Sequence, residues 1–93
     1  MDYKKIYDAL IEYRKTNKLV KSNSCYCEEH HITPKCMNGS DDQSNLVNLT
    51  AREHYIAHLL LWKHYRYINP WFEEALRRAI TGMQMCSWCT PGR

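Results

Sequence analysis

Four of the five histidines form one spaced set: the adjacent pair His30-His31, then Asn45, then His54 and His58 four residues apart. Neutral imidazoles bind divalent ions and, near neutral pH, accept a proton from water, so a set of this composition suits metal-assisted hydrolysis. Inside a helix, at about 100° per residue, His54 and His58 lie roughly 40° apart around the axis, where both rings can share one ion. His30 and His31 behave oppositely, because successive strand residues point to opposite faces. One of them can join His54 and His58 at an ion while the other stands apart as a general base, and spacing alone does not say which. His64 falls about 280° around the helix from His54, off the shared face, and reads as a surface histidine.

The elements that must position these residues follow from periodicity and capping. Tyr3, Ile6, Tyr7, Leu10, Ile11 and Arg14 recur at three- and four-residue steps, which predicts an amphipathic helix over residues 2 to about 16. A polar connector rich in Asn and Ser follows, and Cys25 to Thr33, closed by Pro34, reads as a short strand. Pro34 to Ser44, with its Asn38-Gly39 dipeptide, is a loop leading to a return strand at Leu46 to Leu49. Thr50-Ala51-Arg52-Glu53 has the form of a capping box, so a helix is expected to start at Ala51 and run to Tyr65 or Tyr67 as the central, most buried helix. Asn69-Pro70 starts a last helix, with Glu73 and Glu74 near its positive end and an apolar face to about Met85. The expected fold class is α+β: a two-stranded antiparallel hairpin and a central helix closing around one ion, a ββα unit, with one further helix on each side.

A chain of 93 residues, 44% of them apolar, is expected to make one domain over residues 1 to 93: an N-terminal helix and connector (1–24), the core (25–67), and a C-terminal helix and tail (69–93). The net charge of +3 is unevenly spread. Residues 1–24 hold six Lys/Arg against three Asp/Glu and residues 63–93 five against two, whereas residues 25–62 hold two against five. Basic flanks around a locally acidic centre suit a metal site acting on a polyanion, although the same charges would serve as solvated helix faces. No apolar run resembles a signal peptide or a membrane span, so the expectation is an intracellular protein with no membrane partner. Five cysteines in a reducing compartment read as thiols or metal ligands. Cys86-x-x-Cys89 has zinc half-site spacing, and Cys25-x-Cys27 would place two thiols on one strand face, so these four are candidates for a structural Zn²⁺ if the last helix folds back; packed free thiols are the simpler reading. Cys36 reads as a loop-packing residue.

The run Glu28-Glu29-His30-His31-Ile32-Thr33-Pro34-Lys35, continued by Asn38 through Asn45 to His54-Tyr55-Ile56-Ala57-His58, resembles an HNH endonuclease of the small phage or mobile-intron type. The resemblance covers residues 28 to about 64. It implies a ββα-metal (His-Me finger) core and a metal-dependent DNA endonuclease, nicking or cutting double-stranded DNA to leave 5′-phosphate and 3′-hydroxyl ends. By the same resemblance His31 is the general base, Asn45 braces the loop that orients it, and His30, His54 and His58 hold one divalent ion (Mg²⁺, Mn²⁺, Ni²⁺ or Zn²⁺), His58 being the ligand that varies most among such enzymes. Lys35 and Arg52 flank this site as candidate phosphate contacts or as plain surface charge. The implied setting is the bacterial or phage-infected cytoplasm, as a monomer or homodimer, with specificity modest or supplied by a phage or mobile-element partner. The alternative is a catalytically silent or partner-dependent DNA-binding or zinc module.

Overall fold

The computed structural model describes residues 1–23 and 25–83. In chain order these form helix α1 (Tyr3–Thr16), strand β1 (Glu28–His31), strand β2 (Leu46–Leu49), helix α2 (Ala51–Tyr65) and helix α3 (Pro70–Met83), an α+β arrangement of three helices and one hairpin. β1 and β2 pair antiparallel with Glu28 opposite Leu49, Glu29 opposite Asn48, His30 opposite Val47 and His31 opposite Leu46.

Each helix starts where a side chain can take up its unpaired amides. Asp2 caps α1 by accepting from the Lys5 amide at 3.0 Å, so it precedes the helix and is not its first residue. Thr50 and Glu53 form the predicted box in both directions, at 3.1 and 3.0 Å. Asn69 accepts from the Trp71 and Phe72 amides at the start of α3. α3 is described as far as Met83, so its expected extension to Met85 lies outside the described residues.

β1 is shorter than the strand expected over Cys25 to Thr33. Its partner β2 has only four residues, because Thr50 leaves the ladder to cap α2. Cys25 instead forms an isolated antiparallel bridge with Ser22. Beyond His31, the Ile32 amide bonds to the Asn45 carbonyl and the Thr33 amide to the Asn45 side chain, so the chain departs into the loop while still tied to the far end of it. The loop contains two short 3-10 turns, Lys35–Met37 and Gln43–Asn45. Asn38 closes the first turn at φ 65°, a left-handed conformation that Asn tolerates through local hydrogen bonding. Gly39 follows because the backbone passes so close to Thr33 that a Cβ would stand 1.6 Å from its carbonyl oxygen.

The core forms where α1, the inner face of the hairpin and α3 meet α2. Tyr7 and Ile11 from α1, Val47 and Leu49 from β2, Ala57, Leu60 and Leu61 from α2, and Leu76 from α3 are buried together. α2 packs on both other helices and both strands, which makes it the central helix. A bidentate ion pair fixes the angle between α1 and the start of α2: Arg14 donates from Nε and Nη2 to Glu53 at 2.8 and 2.9 Å. Arg14 therefore shares the buried stripe of α1 but binds the carboxylate that also caps α2.

Candidate metal centre

Strand alternation and the helical step converge on one point. In the β1 and β2 register His30 lies opposite Val47, on the side of the hairpin that faces the core and α2. His54 and His58 rise from successive turns of α2, and the capping box fixes where that helix begins beneath the strand. The three rings meet edge to face, with centroids 5.1 Å apart for His30 and His54, 5.1 Å for His30 and His58, and 5.0 Å for His54 and His58. One nitrogen from each lies within 4.8 Å of the others, so the three histidines could hold a metal ion between them. His64 is not in this group.

The electrostatics favour imidazoles that stay neutral. His30 is 1% exposed, and burial, reinforced by the His58 and His54 rings, pushes its pKa down from 6.5 to about 2. Burial and then His54 push His58 down to about 4. Neutral rings keep a lone pair available, the form in which histidine ligates metals. Nδ1 of His30 and Nδ1 of His58 are buried and lack a hydrogen-bond partner. Buried polar atoms are nearly always partnered, so unpaired nitrogens on clustered neutral rings are what an ion would satisfy. The donor set therefore fits a divalent cation that accepts imidazole nitrogen, of which zinc, nickel and copper are the usual examples.

Glu28 completes the surroundings. One face of β1 carries both Glu28 and His30, and the Glu28 carboxylate accepts from His54 Nδ1 at 2.8 Å. Burial alone would raise the Glu28 pKa, but hydrogen bonds from the Tyr26 hydroxyl and from His54 outweigh it, and the net shift is downward. A carboxylate on the remote nitrogen of a ligating histidine fixes the ring and strengthens it as a donor. Tyr7 reaches the group from α1, its hydroxyl 2.7 Å from His30 Nε2 and 2.6 Å from the Ile32 carbonyl oxygen. Burial, and secondarily Asp8, raise its pKa, so the hydroxyl stays protonated. Neither Glu28 nor Tyr7 is among the site candidates that residue type and spacing indicate. Glu28 carried a usable signal, the two-residue step to His30, whereas Tyr7 stands 23 residues away and read only as part of an apolar stripe.

His31 stands apart from the cluster. It occupies the other face of β1, half-buried, and its Nε2 lies 2.7 Å from Asp41 Oδ1. Asp41 is exposed and its second oxygen meets Lys35 Nζ at 3.2 Å, and these two partners, His31 first, hold its pKa below the ordinary value. Asn45 ties the two ends of the loop together, accepting from the Thr33 amide at 2.8 Å and donating to the Thr33 and Ser40 carbonyls at 3.1 and 2.7 Å. Lys35 thus sits near His31 through Asp41, while Arg52 is an exposed residue on the first turn of α2. Of the four cysteines considered for a structural zinc, Cys25 and Cys27 are free thiols, half-buried and buried respectively, and Cys86 and Cys89 lie outside the described residues. Among the described residues the histidine triplet is the one group of at least three His, Cys, Asp or Glu side chains arranged to take a metal. Cys36 packs against the core as a loop residue.

Fold and site together define a small hairpin-and-helix unit of the ββα type with a buried triple-histidine cluster able to take a metal ion. The chain is similar to three proteins of Enterobacteria phage T4 in particular. It is 57% identical over 67 residues to the protein named "Probable mobile endonuclease D", a match covering 70% of this chain and 26% of that protein. It is 52% identical over 65 residues to "Probable mobile endonuclease E", covering 70% and 44%, and 52% identical over 67 residues to "Probable mobile endonuclease B", covering 71% and 25%. The chain thus spans between a quarter and less than half of the length of these relatives. No protein-family model matches the chain, and no solved structure matches it. No helix among the described residues is long and apolar enough to cross a membrane.

Proposed function

We propose that this chain carries the catalytic unit of a metal-dependent DNA endonuclease of HNH type, hydrolysing phosphodiester bonds. The observation that carries the reading is the meeting of His30, His54 and His58 while His31, their sequence neighbour, faces the other way. The names of the phage relatives support the same activity class.

His30, His54 and His58 would hold one divalent ion, which when bound supplies positive charge to the scissile phosphate and to the departing 3′ oxygen. His31 takes the proton from the attacking water. If its Nε2–H donates to Asp41, Nδ1 is left as the basic nitrogen. Asn45 holds the loop at both ends and so fixes the direction in which His31 leaves the strand. Glu28 keeps His54 in the tautomer whose Nε2 is free. Lys35 and Arg52 neutralise flanking phosphates, and the basic N-terminal helix extends that contact without reading sequence.

Supercoiled plasmid cleavage in Mg²⁺, Mn²⁺ and Ni²⁺, with and without EDTA, tests the reading when wild type is compared with His31→Ala and His54→Ala. Both variants are expected to lose cleavage, His54→Ala together with metal affinity and His31→Ala without loss of it. Equal activity in all three proteins would sink the assignment. Absence of cleavage by the folded, metal-loaded wild type would point instead to a silent DNA-binding module.

A further inference from the structure

We infer that Tyr7, on the helix preceding the hairpin unit, is a positioning residue for the metal centre: its hydroxyl fixes the His30 ring so that Nδ1, and not Nε2, is the atom offered to the ion. The inference rests on the metal-centre reading above and is independent of what the protein cleaves.

A tyrosine hydroxyl has one hydrogen to donate, and a backbone carbonyl can only accept. Tyr7 lies 2.6 Å from the Ile32 carbonyl oxygen, so its hydrogen goes there. The same phenol oxygen lies 2.7 Å from His30 Nε2, and the hydrogen between them must then come from the ring. A neutral imidazole has a single N–H. With that hydrogen on Nε2, Nδ1 carries a bare lone pair, and Nδ1 is the His30 atom that is buried without a partner.

The geometry leaves the ring little freedom. Tyr7 and His30 are each 1% exposed, their ring centroids are 5.9 Å apart, and the planes cross at 71°. Flipping His30 by half a turn would put Cε1 where Nε2 stands and forfeit the hydrogen bond, and moving the ring proton to Nδ1 would set a bare nitrogen against a phenol oxygen whose hydrogen is already committed. The same hydroxyl ties to Ile32, two residues beyond His30, so one group from α1 holds both the ring and the strand that carries it. His54 is held in the complementary way, its Nδ1 engaged by Glu28. Two of the three imidazoles are therefore oriented by groups that do not touch the ion, one through Nε2 and one through Nδ1. Partners of this kind typically alter metal affinity about 10- to 100-fold when removed.

Tyr7→Phe keeps the ring in the core and deletes only the hydroxyl. Zn²⁺ titration against a competing chelator, on the full chain, is expected to show affinity about 10- to 100-fold weaker than wild type, with Tyr67→Phe, an exposed tyrosine, unchanged. Zn²⁺ affinity of folded Tyr7→Phe within twofold of wild type would overturn the assignment. Should Tyr7→Phe fail to fold, ¹⁵N spectra of the wild-type imidazoles decide: His30 should keep its proton on Nε2 throughout, and Zn²⁺ should move the Nδ1 resonance. A coordination shift at Nε2 would refute the proposal. Wild type that takes up no Zn²⁺ would remove the metal centre and this inference together, whereas normal Zn²⁺ uptake without DNA cleavage would remove only the nuclease reading.

Discussion

Lowering the pH from 7.5 to 5.0 should destabilise the metal-free protein by about 4 kcal/mol, from two buried histidines. In the native state His30 is held near a pKa of about 2 and His58 near about 4, so neither gains an appreciable proton over this range. In the unfolded chain both return to about 6.5 and are almost fully protonated at pH 5.0. The unfolded state thus binds more protons, and stability rises with pH and falls as pH drops. The loss begins near 6.5 and continues until the native pKa of each ring is reached. At 1.36 kcal/mol per pH unit, 1.5 units below the unfolded pKa is worth about 2 kcal/mol per histidine. The carboxylates of Glu28, hydrogen-bonded by Tyr26 and His54, and of Glu53, paired with Arg14, work in the same direction but lower down: their pKa values are depressed in the fold, so their contribution is lost only as pH falls below about 4.5. Against a typical domain stability of about 5–15 kcal/mol, the histidine effect is large. Urea unfolding in EDTA, followed by tryptophan fluorescence at steps between pH 7.5 and 5.0, measures it. Replacing His58 by Gln should halve the loss to about 2 kcal/mol. A wild-type change below about 1 kcal/mol, or an unaltered slope in His58→Gln, would refute the reasoning that these rings are held neutral by burial.

Three further outcomes follow from particular contacts. Glu28→Ala removes the acceptor for His54 Nδ1 and should weaken Zn²⁺ binding by about 10- to 100-fold in a chelator competition, with the helix content by circular dichroism unchanged. Arg14→Met leaves the half-buried Glu53 carboxylate without its bidentate partner and should cost about 1–3 kcal/mol in urea unfolding, with much of that cost absent when Glu53→Gln is already present. Gly39→Ala drives a Cβ into the Thr33 carbonyl and should cost about 3 kcal/mol or more, read as a lowered unfolding midpoint.

Much of the fold was legible because its signals are short-range. The Thr50 and Glu53 box, the Asn69 cap and the stripe on α1 act over three or four residues, and each placed its helix start to within a residue. β1 was overestimated for the reason that a strand's length belongs to its partner: β-branched and aromatic content marks where a strand can form, but hydrogen bonds form only where β2 runs alongside. The loop was legible as a loop, while its Asn45 braces and the close pass of Gly39 were set by contacts between its two ends.

For the site, the sequence by itself determined the pairing of His54 with His58 and the opposition of His30 to His31, since both are consequences of fixed helical and strand periods. Periodicity leaves open which member of that pair faces α2; the family resemblance implied His30, and the packing of the hairpin on α2 puts His30 on that side because the core covers that face. The same holds for the groups that orient the ligands. Tyr7 meets His30 across 23 residues, Glu28 meets His54 across 26, and Arg14 meets Glu53 across 39. Periodicity can say which way a side chain points along its own element, but the partner it finds, and with it the ring nitrogen that carries the proton, is fixed only when the elements pack.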